Sequence, residues 1–115
     1  MASQHRKHRG YETQRIVARH LSVNGWPHAH AIGAGEAGDD IQGVLDIQVE
    51  VKARRGFDPV AALRQLHARR AVGTVPFAVL RMDGTGETTI ADWPCVLRFD
   101  DLIALLREAG YGDTP

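Results

Sequence analysis

Residues 47–52 alternate without exception. Ile47, Val49 and Val51 point to one side and Gln48, Glu50 and Lys52 to the other, the pattern of a strand with one apolar face. That period fixes the chain's centre as a sheet and sets an acid and a lysine side by side. Just upstream, Asp40 to Val44 reads as a short strand folding back through a turn at Leu45 and Asp46. In such a hairpin Asp40 lies opposite Glu50, with side chains roughly 5 Å apart. Two carboxylates at that spacing can share one divalent cation. Asp46 is the weaker partner, since four residues of strand put it roughly 13 Å from Glu50 at about 3.3 Å per residue. It suits the turn instead. Asp39 is expected to face away from Asp40.

The flanking stretches read as helices and further strands. Ile16, Val17, His20, Leu21 and Val23 recur at helical spacing between Gly10 and Asn24, and Asn24-Gly25 with Pro27 closes that helix. His28 to Ile32 is a candidate first strand. Asp58-Pro59 opens a second helix, with Val60, Leu63, Leu66 and Val72 as its apolar stripe and Gly73 as its stop. Val75 to Arg81 is a buried strand, joined to 47–52 by a crossover and so parallel to it. Asp83-Gly84 turns the chain, 87–91 and 94–99 suggest an edge hairpin, and Asp100 caps a last helix over 101–109. Leu102, Leu105 and Leu106 are expected to pack that helix down.

The order Asp40-Ile41, a turn, then Val49-Glu50-Val51-Lys52 resembles the PD-(D/E)XK nuclease superfamily. More narrowly it resembles the small Holliday junction resolvases of bacteriophages. The likeness runs from about residue 6 to 84 and takes in the helix with Glu12, its end at 21–27, Gln65 in the next helix, and Pro76–Arg81 leading to Gly84. It implies an α/β (α+β) fold, a restriction-endonuclease-like mixed β-sheet flanked by helices, and Mg²⁺ (or Mn²⁺) as cofactor. Asp40, Glu50 and the backbone carbonyl of Val51 would hold the ion, with Glu12 either a ligand itself or behind one. Lys52 would activate the attacking water or stabilise the charged phosphorus, and Gln65 would orient Lys52 or the water. Resolving a four-way junction takes two symmetric cuts, so a homodimer is expected. The segment with Trp93 and residues 102–106 is a candidate surface for it.

Plainer readings compete. Glu12 in a first helical turn also favours the helix dipole. Glu50 and Lys52 alone would pass for a surface ion pair on a sheet. His28 and His30 share a strand face, but zinc needs further ligands that the sequence does not supply beside them. Gly33 to Gly38 spells a dinucleotide fingerprint, yet it precedes a strand where that motif must open a helix.

Length and charge distribution fit the nuclease reading. At 115 residues the chain allows one domain, read as a flexible basic tail over 1–9 and a nuclease domain over 10–115. The net charge is zero, but its distribution is bipolar. Arg6, Lys7, Arg9, Arg15 and Arg19 crowd the start, and Lys52, Arg54, Arg55, Arg64, Arg69 and Arg70 the middle, while acids gather in 36–50 and after 82. Arg6, Lys7, Arg9, Arg54, Arg55, Arg69 and Arg81 are the expected DNA phosphate contacts. One cysteine, Cys95, excludes an internal disulfide and suits a reducing compartment. With no apolar run long enough to span a membrane and no apolar leader, a cytoplasmic place is expected, the host's if a phage encodes the chain.

Overall fold

A computed structural model describes residues 2–33, 39–53 and 58–114. Helix α1 runs Ala2–Ser22, β1 is His30–Ala31, β2 Ile41–Gln42, β3 Ile47–Lys52, α2 Pro59–Ala68, β4 Val75–Leu80, β5 Cys95–Val96 and α3 Phe99–Glu108. A 3₁₀ helix over Glu87–Asp92 precedes β5. The domain is a mixed α+β one with two small sheets. One pairs β1 with β2 antiparallel; the other has the order β3-β4-β5, parallel then antiparallel.

The alternation in β3 decides the layers. Val49 and Val79 of adjacent strands face Ile16, Val17 and Ala18 of α1, together with Ile41 and Trp93. On the other face Ala78 and Leu80 meet Ala62 and Leu66 of α2. The three-stranded sheet is thus covered by α1 on one side and α2 on the other. Gln48 and Glu50 therefore lie beneath α2 rather than in solvent. The expected helix start is present: Asp58 Oδ1 accepts from the Val60 and Ala61 N–H groups, with Pro59 in the first turn.

Several expectations are corrected. β2 does not pair with β3; its ladder partner is β1, with His30 opposite Gln42 and Ala31 opposite Ile41. Gly43 explains why. Its φ is +74°, and a Cβ there would stand 2.2 Å from the His28 carbonyl oxygen, so the chain after β2 passes tightly against the β1 side. Gly43→Ala is expected to cost about 3 kcal/mol or more, read as a fall in the urea midpoint. The turn itself falls at Leu45 and Asp46 as expected, and Asp46 adopts φ 69°.

The polar tail expected at 1–9 is, from Ala2 on, part of α1, because nothing between Ser3 and Arg9 breaks a helix. α2 ends at Ala68, not near Gly73, which leaves Val72 fully exposed. The Glu87–Ala91 arm of the expected hairpin is 3₁₀ helix, and only Cys95–Val96 pairs, with β4. Helix α3 is capped at Arg98 rather than Asp100, and none of its residues is buried. The loop through 34–38 lies outside the described residues, as do Arg54 and Arg55.

Candidate active site

Strand β3 positions the central groups. Glu50 and Lys52, two residues apart, project to the α2 side, where Lys52 Nζ lies 3.1 Å from Glu50 Oε1. Their side chains are only 9% and 19% exposed, so this is not the solvated surface pair of the plainer reading. The other Glu50 oxygen, Oε2, accepts from Arg69 Nη2 at 2.5 Å. Arg69 Nε in turn donates to Asp39 Oδ1 at 2.7 Å. One guanidinium thus bridges two carboxylates across the end of α2.

Asp40 reaches the same strand by another route. Its Oδ2 accepts the Val51 N–H at 2.8 Å, which fastens the start of β2 to the free edge of β3 without a backbone ladder. In an extended strand the N–H and C=O of one residue project to the same edge. The Val51 carbonyl therefore opens toward Asp40. Burial raises the Asp40 carboxyl above the usual carboxylate range, and the nearby Glu50 charge adds to this. The Val51 hydrogen bond, Lys52 and Arg69 pull the other way. A second carboxylate and partial desolvation make this an edge where added positive charge is favourable.

Gln48 is the organiser that sequence reading passed over. Its Nε2 donates to the Arg69 carbonyl at 3.0 Å and, at 3.3 Å, to Asp39 Oδ2. Its Oε1 accepts from the Ala71 N–H at 2.7 Å and the Thr74 hydroxyl at 2.6 Å. A buried amide with every bond made clamps the chain leaving α2, which is why Arg69 arrives over Glu50. The sequence signal was faint: a polar residue between Ile47 and Val49, in phase with Glu50.

The other expected site residues lie elsewhere or act differently. Gln65 is exposed, and among the described residues no hydrogen bond joins its side chain to Lys52; its backbone carbonyl accepts from Arg69 Nη1 at 3.4 Å. Arg69, one turn further on, reaches Asp39 and Glu50 instead, with its side chain still partly exposed. Glu12 sits 3.8 Å from Arg81 Nη1 and, among the described residues, pairs with neither Asp40 nor Glu50.

Arg81, expected at a phosphate, is buried. It donates from Nη1 to Thr13 Oγ1 at 3.0 Å and from Nε to the Thr85 carbonyl at 3.1 Å. Its guanidinium also lies 5.6 Å from the Trp93 ring centroid. Arg81→Ala is expected to destabilise the fold by about 2–4 kcal/mol in urea unfolding, since it orphans buried partners. A loss of DNA affinity at unchanged stability would restore the phosphate role. Arg9 lies on α1, and the side chains of Arg6 and Lys7 fall outside the described residues. Among the described residues no group of three or more His, Cys, Asp or Glu could hold a metal. Nor is any helix there long and apolar enough to cross a membrane.

Compared with known proteins, the chain matches no family model, no curated protein and no solved structure.

Proposed function

We propose that the chain is a divalent-metal-dependent DNA endonuclease of the PD-(D/E)XK type, with a restriction-endonuclease-like sheet. Its proposed substrate is branched duplex, four-way junctions foremost, cut by a homodimer in the cytoplasm. One observation supports the reading: Glu50 and Lys52 pair at 3.1 Å on β3, and Asp40, brought from another segment, accepts the N–H of Val51 between them and lies near enough to feel both charges.

The donor set fits a hard cation. Asp40, one or both Glu50 oxygens and the Val51 carbonyl would all offer oxygen to an ion, the preference of Mg²⁺ and Mn²⁺. Glu50 has capacity left, because each carboxylate oxygen can accept more than the single bond it makes here. A bound ion would supply charge against a non-bridging phosphate oxygen and a more acidic water. The chain's own groups do the rest. Lys52, held by Glu50, presents an ammonium beside the site, where it orients the attacking water or stabilises the charged phosphorus. The basic residues of α1 and the Arg54-Arg55 pair after Lys52 are the proposed grip on the backbone.

Cleavage of labelled four-way, flap, nicked and linear duplexes, with Mg²⁺ or with chelator, tests the reading. Paired symmetric nicks in the four-way junction support resolution. Preference for flaps, nicks or a fixed sequence makes it a nuclease of another specificity.

A second reading has one observation in its favour. Arg69 and Lys52 already neutralise Glu50 without any metal. A DNA-binding module could keep the fold in that form, binding junctions without cutting and indifferent to Glu50→Ala.

A further inference from the structure

Helix α3 holds five large apolar side chains, Phe99, Leu102, Ile103, Leu105 and Leu106, and buries none of them. A ten-residue helix is marginal in water without a packed face. Asp101 ties it to the domain through its carboxylate. Asp101 Oδ1 accepts from Arg70 Nη1 at 3.4 Å, and Asp101 Oδ2 lies 3.5 Å from His67 Nε2. A cleft of about 500 Å³, lined on the helix side by Asp101, Ala104, Leu105 and Glu108, separates α3 from the ends of β3 and β4.

At 100° per residue, the side opposite that cleft carries Phe99, Leu102, Ile103 and Leu106, spaced i, i+3, i+4, i+7. They are 76%, 38%, 41% and 40% exposed. Trp93, expected to share a dimer surface with this segment, belongs to the core instead.

We propose that this stripe is covered by the same stripe of a second copy, packed antiparallel across a two-fold axis near Ile103. Charge selects that occupant. Asp100 and Arg107 stand seven residues apart and so flank one edge of the stripe, at opposite ends. Antiparallel two-fold pairing sets Asp100 of each copy beside Arg107 of the other, twice over. A parallel pairing would set Arg107 against Leu102 and gain neither contact. Arg107 Nη1 donates to the Tyr111 and Asp113 carbonyls, each at 3.0 Å, which fixes the side chain while other donors of the fork stay available. Opposed helix dipoles add to the preference.

The stripe offers on the order of 400 Å² of apolar surface per copy. That is about half of the ~800 Å² one side of a standard interface buries, so the dimer is concentration-dependent. The proposed reaction calls for two copies, and to that extent the inference rests on it. Mass is read without DNA or metal, so failure here and failure of the nuclease reading are distinguishable.

Sedimentation equilibrium across the micromolar range is the test, with thermal unfolding followed in parallel. Wild type is expected to dimerise, and Ile103→Glu to weaken the dimer by about 100-fold with the fold intact. Should Ile103→Glu fail to fold, the charge variants decide. Asp100→Arg alone weakens association about 10-fold, and Asp100→Arg with Arg107→Asp restores it. A monomeric wild type, a dimer indifferent to Ile103→Glu, or a double reversal that fails to restore association would each overturn the proposal.

Discussion

Replacing Asp40 by Asn should abolish Mg²⁺-dependent strand cutting, by at least about 10³-fold, while making the fold more stable at neutral pH. The two effects have one cause. Burial and the neighbouring Glu50 disfavour the ionised Asp40 carboxyl, so its folded pKa lies above the unfolded value. The neutral form is the one the fold prefers. That preference is fully present in acid and is lost as pH rises through the folded pKa. Asn stays neutral, keeps an oxygen for the Val51 N–H, and so avoids the loss. The gain is expected as a rise in melting temperature at neutral pH that shrinks as the pH is lowered.

Glu50→Gln should also stop cutting, but with the opposite effect on stability. It leaves Lys52 and Arg69 facing no charge at that position. Parallel cleavage assays and melting curves separate the cases. If Asp40→Asn still cuts, Asp40 is no part of the reaction; if it melts lower, the Val51 hydrogen bond and the cationic neighbours outweigh burial.

What the sequence made legible was local and periodic. Strict alternation over 47–52 fixed which side chains share a face, and Asp58-Pro59 fixed where α2 begins. Asp46 was legible as a turn residue from its chemistry. Illegible were features set by contacts between distant segments. Local sequence favours a hairpin pairing β2 with β3, because nothing local reveals that β1 pairs with β2 instead. Asp40 nevertheless reaches β3, through its side chain rather than its backbone. Arg69 and Gln48 were unreadable as site residues for the same reason. Their roles depend on where α2 stops, and that depends on bonds to Ala71 and Thr74, more than 20 residues from Gln48. In α3 the leucine spacing was correctly helical, but periodicity cannot say whether an apolar face meets its own domain.

Arg69 gives the second large effect, and one independent of catalysis. Arg69→Ala removes the cation shared by Asp39 and Glu50, leaving Glu50 beneath α2 with Lys52 alone. Breaking a fully buried pair costs about 3–5 kcal/mol, but the Arg69 side chain is 37% exposed, and solvent screening brings the expected loss nearer about 2 kcal/mol. If Asp40, Glu50 and the Val51 carbonyl form a cation site, the variant should recover part of that loss in Mg²⁺ or Mn²⁺. A cation bound to the folded chain alone stabilises it by mass action. Wild type, in which Arg69 already answers the Glu50 charge, should gain less from the same ion. The comparison is of melting temperatures with and without about 10 mM metal, using Na⁺ at matched ionic strength as control. Equal gains in both proteins would mean that Arg69 and the ion do not compete for the same carboxylate. No gain in either would leave Arg69 as the permanent counter-charge and favour the non-cutting module. The guanidinium is thus the part of the site that separates the two readings: an arginine that yields Glu50 to a metal belongs to a nuclease, and one that does not belongs to a scaffold.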